Sequence, residues 1–180
     1  GLEPIVGVPG VVGGALVMNA GTREGEIGPL VESVETLSTA GELRTVPRGD
    51  LNFGYRRSSL GPELILSAVL RLKPGNKADI MTVVGRNQQR RLQTQPIHTY
   101  NVGSTFKNPP GRFAAQLIEQ LGLKGHAVAG ARVSPMHANF IENFAGATAC
   151  DVLALVDLIR ERVRAANGVE LELEMRVVGE

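Results

Sequence analysis

The stretch Pro9-Gly10-Val11-Val12-Gly13-Gly14-Ala15 decides the fold, and it lies within the run GVPGVVGGALVMNAG at residues 7–21. Its glycines alternate with apolar residues, and no helical pattern of charges interrupts them. Glycines packed this densely let a backbone approach a ligand and point N–H groups at it. The spacing fits neither the P-loop nor the GxGxxG motif, which disfavours the common nucleotide-binding folds. A buried tight turn followed by a short helix is the alternative that these residues leave open.

The segments that follow this stretch alternate between strands and helices. Segments 31–38, 42–46 and 64–72 are rich in residues that favour strands. After Pro74-Gly75, Asn76 with Asp79 three positions later is typical of a helix start. Because the basic end of that helix, residues 86–91, is followed by Gln, Pro and His, we expect a loop up to Gly103.

The second half of the chain predicts two more helices and a last strand. One helix is expected from Phe113 to Gly122, and another over 151–166 with Thr148 as its N-cap. Residues 169–177 alternate apolar and charged side chains, which predicts a half-buried strand. Without a regular βαβ rhythm, the fold class expected is α+β, with a domain boundary near residue 75.

The composition narrows the classes of function. The 19 Lys and Arg against 18 Asp and Glu give no basic excess for nucleic acid or an anionic membrane. The single cysteine and three dispersed histidines predict neither an internal disulfide nor a metal site, and favour a cytoplasmic protein. No apolar run reaches the roughly 20 residues that span a bilayer. Because the chain opens without Met in an apolar, glycine-rich stretch, we expect its natural start to lie upstream.

Four further segments carry polar side chains of the types that proteins use in binding and catalysis. Tyr55-Arg56-Arg57-Ser58-Ser59 offers guanidinium groups to a carboxylate or carbonyl, against the alternative of a solvated pair. The run of residues 103–110, GSTFKNPP, either binds phosphate or donates a proton, or is a turn that caps the next helix. Glu174 is either a solvated carboxylate or a group that orients substrate. His137 and Asn139 are interpreted as structural hydrogen-bonding groups.

Taken together, five runs resemble the UDP-N-acetylenolpyruvoylglucosamine reductase family over the whole chain. They are PGVVGGALVMNAG at 9–21, YRRS at 55–58, GSTFKNPPG at 103–111, HANFIEN at 137–143 and LELEMRVVG at 171–179. The short path between the third and fourth runs resembles the compact subclass of the family. The upstream part of the family pattern, which supplies another flavin loop, is absent.

This resemblance implies the domain organisation and the cofactors. It implies that residues 1–74 are the C-terminal part of a vanillyl-alcohol-oxidase-type FAD-binding domain. Residues 75–165 would form a small α+β substrate-binding domain, and residues 166–180 a terminal strand that returns to the active site. The implied cofactors are FAD and, as hydride source, NADPH. The residues implied to contact FAD are Pro9, Gly10, Gly13, Gly14, Ala15, Asn19, Arg56 and Ile65.

The implied reaction is the reduction of UDP-N-acetylglucosamine enolpyruvate to UDP-N-acetylmuramate, a step of peptidoglycan synthesis and so of cell-wall biogenesis, cell shape and cell division. By its place in GSTFKNP, Ser104 is implied to donate the proton, and Arg56 and Glu174 to polarise the substrate carboxylate. The groups implied to bind the UDP phosphates are Lys107, Asn108, Arg86 and Arg91.

Two other functions stay open at this point. One is a catalytically silent UDP-sugar-binding module that lacks a functional flavin site. The other is a flavin oxidoreductase of the same fold with a different substrate, against which the GSTFKNP and LELE runs argue.

Overall fold

The computed structural model describes residues 1–179 and divides the chain into two compact units, Gly1–Arg90 and Arg91–Glu180. We call them unit 1 and unit 2. Each combines helices with antiparallel strands, so the predicted α+β class is confirmed. The predicted boundary near residue 75 falls in the loop before the helix that leads from one unit to the next, and it stays a prediction.

Unit 1 is built on a three-stranded antiparallel sheet in the order β4-β3-β7. Val34 of the central strand pairs with Val46 on one side and Ala68 on the other. The elements of unit 1 are α1 (Val12–Val17), β1 (Gly21–Thr22), β2 (Gly25–Glu26), β3 (Val31–Leu37), β4 (Leu43–Pro47), β5 (Phe53–Gly54), β6 (Arg57–Ser58), β7 (Leu64–Leu70) and most of α2 (Lys77–Thr94). Its buried apolar core consists of Leu16, Ile27, Val31, Val34, Leu51 and Leu60.

Three predicted strands and the start of α2 are confirmed in unit 1. The Asn76 side-chain oxygen accepts hydrogen bonds from the amides of Ala78, at 2.8 Å, and Asp79, at 3.3 Å. A buried turn at 7–15 is wrong, because Val11 is 74% and Val12 62% exposed. The six-residue helix α1 turns only Leu16 fully into the core, which leaves the glycine-rich loop before it at the surface.

Unit 2 is a four-stranded antiparallel sheet in the order β8-β11-β10-β9, packed against helices. Its elements are β8 (Tyr100–Ser104), α3 (Ala114–Gln120), β9 (Ala127–Val128), β10 (Ala131–Val133), β11 (Phe140–Asn143) and α4 (Ala149–Asn167). Ile118 of α3, Val133 of β10 and Ile159 of α4 are fully buried in one core. The expected loop up to Gly103 is wrong, because α2 runs to Thr94 and β8 begins at Tyr100.

Helix α4 begins as the sequence predicts. The Thr148 hydroxyl accepts from the Asp151 amide at 3.2 Å, and the Asp151 carboxylate accepts from the Thr148 amide at 2.9 Å. This reciprocal capping box satisfies two amides that the helix itself leaves unpaired. Gly168, with φ of 64°, ends the helix in the left-handed region, where glycine carries no steric cost.

The predicted terminal strand over 169–177 is wrong as a regular element. Within the described residues, this segment makes one isolated antiparallel bridge, between Leu173 and Phe106. Two hydrogen bonds flank it: Lys107 N donates to Glu172 O at 2.8 Å, and Glu174 N donates to Thr105 O at 2.9 Å. Toward residue 169 no ladder continues because the opposite segment runs into Pro109-Pro110, which have no N–H. Toward residue 177 the chain bends at Glu174 and Met175.

Candidate functional site

The glycine-rich loop of unit 1 presents its backbone at the surface. Gly10 has φ of 138°, a conformation that side-chain-bearing residues rarely adopt, and no atom lies within 4 Å of the Cβ it lacks. Gly13 lies over β7, where an added Cβ would be 3.7 Å from Ile65 Cβ. Pro9 and Gly14 are exposed as well. The loop therefore offers open backbone that a planar or phosphorylated ligand can approach.

A buried asparagine fixes the far end of this loop. Asn19 is 1% exposed and has φ of 46°. Its side-chain oxygen accepts from the Gly28 amide at 2.9 Å, while its nitrogen donates to the Glu26 carboxylate at 2.6 Å and to Gly54 O at 3.1 Å. Because its side-chain amide is hydrogen-bonded to Glu26, Gly28 and Gly54, Asn19 fixes the C-terminal end of the glycine-rich segment. Its predicted contact with FAD stays a prediction.

Arg56 lies at the tip of the hairpin formed by β5 and β6. Its φ of 53° is uncommon for a residue with a side chain, and such strain concentrates at functional sites. The half-buried guanidinium lies 5.1 Å from the centre of the Tyr55 ring. Ser58 anchors the hairpin to α1, because its hydroxyl donates to Val17 O at 3.0 Å. The YRRS run is thus a positioned turn of unit 1 rather than a loose surface pair.

Ser104 is the last residue of β8 in unit 2, where it pairs with Phe140. The expectation of a turn at this position is corrected: the turn begins later, in the proline-containing segment. Gly103 precedes it with φ of 84°, and the Gly103 amide donates to the Asn101 side chain at 2.9 Å. Ser104 is half-buried, so a substrate can reach its hydroxyl.

Glu174 lies on the segment that is hydrogen-bonded to Thr105, the residue after Ser104. The Glu174 amide donates to Thr105 O, so residues 104 and 174 lie on neighbouring antiparallel segments. Glu174 is half-buried, and its role as a group that orients substrate stays a prediction. Two residues before Glu174, Glu172 forms an ion pair with Lys107.

The groups expected to bind the UDP phosphates belong to both units, Arg86 to unit 1 and Arg91, Lys107 and Asn108 to unit 2. The Asn108 side-chain oxygen accepts from the Ala114 amide at 3.0 Å, so Asn108 caps the start of α3 as the alternative interpretation expected. Arg86 is exposed in unit 1, and Arg91 is half-buried in unit 2, where burial lowers the pKa of its guanidinium.

Asn139 and His137 are structural hydrogen-bonding groups, as the sequence predicts. Asn139 is 4% exposed, and its side chain binds both the amide and the carbonyl of Phe106. The His137 Nδ1 atom accepts from the Asn139 amide at 3.2 Å. Burial lowers the pKa of His137, which favours the neutral ring that this acceptor role requires. The sequence does not indicate that Asn139 binds the segment of residues 105–106.

A shallow cavity of about 250 Å³ lies beside α3 in unit 2. It is lined by Gly111, Arg112, Phe113, Gln116, Leu117, Gln120 and Asn167. None of the predicted site residues lines it. Over residues 1–179, no group of three acidic, His or Cys side chains is arranged for a metal ion, and no helix is long and apolar enough to cross a membrane.

Known proteins resemble this chain over its full length. Residues 95–178 match the model of the UDP-N-acetylenolpyruvoylglucosamine reductase C-terminal domain. The reductase of that name from Anaeromyxobacter dehalogenans is 48% identical over 100% of this chain and 55% of its own length. The reductase from Clostridium kluyveri is 42% identical over 100% of this chain and 60% of its own length. The crystal structure of the Thermus caldophilus reductase superposes with a TM-score of 0.85 at 40% identity, over 98% of this chain and 63% of that one. The chain therefore spans a little over half the length of these relatives.

Proposed function

Because the chain belongs to the UDP-N-acetylenolpyruvoylglucosamine reductase family, we propose that it carries the catalytic residues of an NADPH-dependent flavoenzyme that makes UDP-N-acetylmuramate. The observation that carries this proposal is the hydrogen bond from Glu174 N to Thr105 O, which places Glu174 beside the residue that follows Ser104 although the two are far apart in sequence. A hydroxyl and a carboxylate are the two groups that the protonation of an enol requires. The substrate proposed is UDP-N-acetylglucosamine enolpyruvate, and the site of action is the cytoplasm.

The exposed loop of unit 1 fits FAD as its ligand. Pro9, Gly10 and Gly14 are exposed, Gly13 and Ala15 are half-buried in α1, and the exposed Val11 and Val12 beside them suit an apolar ring system. We assign these residues, with Asn19 behind them and Ile65 and Arg56 flanking them, to a flavin domain of the vanillyl-alcohol-oxidase type. When bound, FAD supplies hydride obtained from NADPH, and this chemistry belongs to the cofactor.

Ser104 is proposed to complete the reduction with a proton. Hydride adds to one carbon of the enolpyruvyl double bond and leaves an enolate, whose carbon takes the proton from Ser104 Oγ. A hydroxyl is a weak acid, but a carbon-centred enolate is a strong base, and exclusion of water favours the transfer. Water then restores the serine proton.

Arg56 and Glu174 are proposed to bind the substrate carboxylate and to stabilise the enol. Fixed charge of this kind is often the largest catalytic contribution. The strained backbone and the anchored hairpin of Arg56 support this role, because preorganised groups need no rearrangement during the reaction. Lys107, Asn108, Arg86 and Arg91 are proposed to contact the UDP phosphates.

The test compares the two half-reactions in the FAD-loaded protein that carries this sequence. With Ser104→Ala we expect flavin reduction by NADPH to stay within about twofold, while reduction of the enolpyruvyl sugar slows by about 10²-fold or more, the usual range for a lost proton donor. Thr82→Ala is the matched control, since this exposed hydroxyl only bonds Ala78 O in α2. An unchanged second half-reaction would remove Ser104 from the mechanism.

A second function is favoured by unit 2, which has an apolar core of its own and contains Ser104, Lys107 and Asn108 but no part of the glycine-rich loop. In this alternative the chain is a catalytically silent module that binds the UDP-sugar. Calorimetry distinguishes the two, because the module binds UDP-N-acetylglucosamine enolpyruvate without flavin and consumes no NADPH when FAD is added.

A further inference from the structure

The Asn139 side chain acts as a strand neighbour for the segment that follows Ser104. Its oxygen accepts from Phe106 N at 3.0 Å, and its nitrogen donates to Phe106 O at 2.8 Å. The main-chain oxygen of Asn139 also accepts from Thr105 N at 2.8 Å. Three hydrogen bonds from one residue therefore fix the backbone of the two residues directly after Ser104.

This arrangement begins where the regular ladder ends. Phe140 pairs with Ser104, and the register shifts between Phe140 and Glu142, so β11 departs from ideal pairing at its first residue. Beyond Ser104 the amide side chain of Asn139 replaces the missing backbone partner. Asn139 and Phe106 are both buried, so each group that loses this partner has no water to replace it.

The opposite edge of the same segment carries Glu174. Thr105 O accepts from Glu174 N, and Lys107 N donates to Glu172 O. Residues 105–107 therefore lie between Asn139 on one side and residues 172–174 on the other. A shift of residues 105–106 therefore changes the position of Ser104, which is bonded to Thr105, relative to Glu174, which is only hydrogen-bonded to Thr105.

Asn139 is itself held in place by its neighbour. His137 Nδ1 accepts from Asn139 N, and the His137 ring packs edge-on against Phe140, with ring centres 4.7 Å apart. The polar support behind Ser104 thus runs from His137 through Asn139 to Thr105 and Phe106.

We propose that Asn139 is a positioning residue that sets the direction of the Ser104 hydroxyl and its alignment with Glu174. The proposal rests on the function proposed above for Ser104. Asn139 acts only through the backbone of residues 105–106, and a displacement of about 1 Å at a reacting group is enough to slow a reaction by about 10²-fold.

A double-mutant cycle in the FAD-loaded protein tests the proposal. Asn139→Ala is expected to slow the reduction of the enolpyruvyl sugar at least tenfold, while flavin reduction by NADPH changes less than twofold. In a Ser104→Ala background, the same substitution is expected to have no further effect beyond about twofold, because residues that act as one unit are not additive.

The outcomes separate this inference from the proposed function. If Ser104→Ala leaves the second half-reaction unchanged, the proton-donor role fails, and the positioning role fails with it. If Ser104→Ala slows that step but Asn139→Ala does not, or if the two effects multiply, only the positioning role is overturned. His137→Phe is the milder second variant, which removes one acceptor, keeps the aromatic contact and is expected to give the same pattern with a smaller factor.

Hydrogen exchange gives a readout independent of activity. In Asn139→Ala, the amides of Thr105, Phe106 and Glu174 are expected to lose protection by at least tenfold, with the amides of β10 unchanged. Asn143→Ala is the matched control, because the side chain of Asn143, the exposed last residue of β11, binds Ala147 N at 2.8 Å and Ala147 O at 3.4 Å in the same way. Full activity with Asn143→Ala is expected, whereas unchanged protection at residues 105 and 106 in Asn139→Ala would refute the proposal.

Discussion

Each unit contains a buried asparagine near its predicted functional side chains. The two asparagines differ in backbone conformation, because Asn19 has a positive φ and Asn139 does not. In unit 1, Asn19 adopts a left-handed backbone, binds a carboxylate and joins three separate segments. In unit 2, the Asn139 side chain binds only the backbone of Phe106, and its main-chain oxygen accepts from Thr105 N. The surrounding cores differ as well, since unit 2 buries the larger apolar cluster. The difference teaches that unit 1 depends more on polar contacts for its local geometry.

The largest effect is expected from the asparagine of unit 1. Asn19→Ala removes three hydrogen bonds, leaves the buried Gly28 amide unpaired and forces alanine into a positive φ, so we expect a loss of about 3–5 kcal/mol of unfolding free energy. Asn19→Gly loses the same bonds but tolerates the backbone, and should cost about 1 kcal/mol less. Urea unfolding of both variants measures the difference, and equal losses would contradict the strain at this position.

Crowding around Asn19 provides the next comparison. An added Cβ at Gly28 would lie 2.6 Å from Phe53 Cγ and 2.7 Å from the Asn19 side-chain oxygen. Gly28→Ala is therefore expected to cost about 1–3 kcal/mol through overpacking. Gly49→Ala is the matched control in the same unit, since nothing lies within 4 Å of its Cβ position. Thermal unfolding of the pair would refute the close packing if both variants melt alike.

The smallest effect is a pH dependence in unit 2. Burial holds the pKa of His137 below its ordinary value, with Lys124 lowering it further and Glu119 opposing this. The unfolded chain therefore takes up the proton first, and the protein loses stability as the pH falls from the ordinary histidine pKa of about 6.5 through the lower folded value. His137→Phe should weaken the dependence of the melting temperature on pH in this interval. If the melting temperature of the variant changes with pH as steeply as that of the original protein, other groups cause the dependence.

Much of the fold follows from the sequence wherever an element is long and its pattern simple. The strands β3, β4 and β7, the start of α2 at Asn76 and the cap of α4 at Thr148 are all predicted by local residue types. Strands β8 to β11 are not, because two to five residues are too few to show a period. Their pairing depends on contacts between distant segments.

The candidate site shows the same limit. The family motifs predict roles for Arg56, Ser104 and Glu174, but nothing local indicates that Asn139 binds both the amide and the carbonyl of Phe106 from a different segment. The alternating pattern of the tail predicts too long a strand, because alternation describes burial and reveals neither the prolines opposite residues 169–170 nor the bend at Glu174 and Met175. The open glycine loop is likewise misplaced into the core by its apolar composition.

The contact of residues 105–107 with the tail also affects how the protein folds. The Lys107–Glu172 pair joins residues 65 positions apart, and closing so long a loop costs entropy before any contact repays it. We therefore expect the sheet and helices of unit 2 to form first and this junction to close late. During synthesis, Ser104 leaves the ribosome long before Glu174, so the two cannot be brought together until nearly all of unit 2 has been translated.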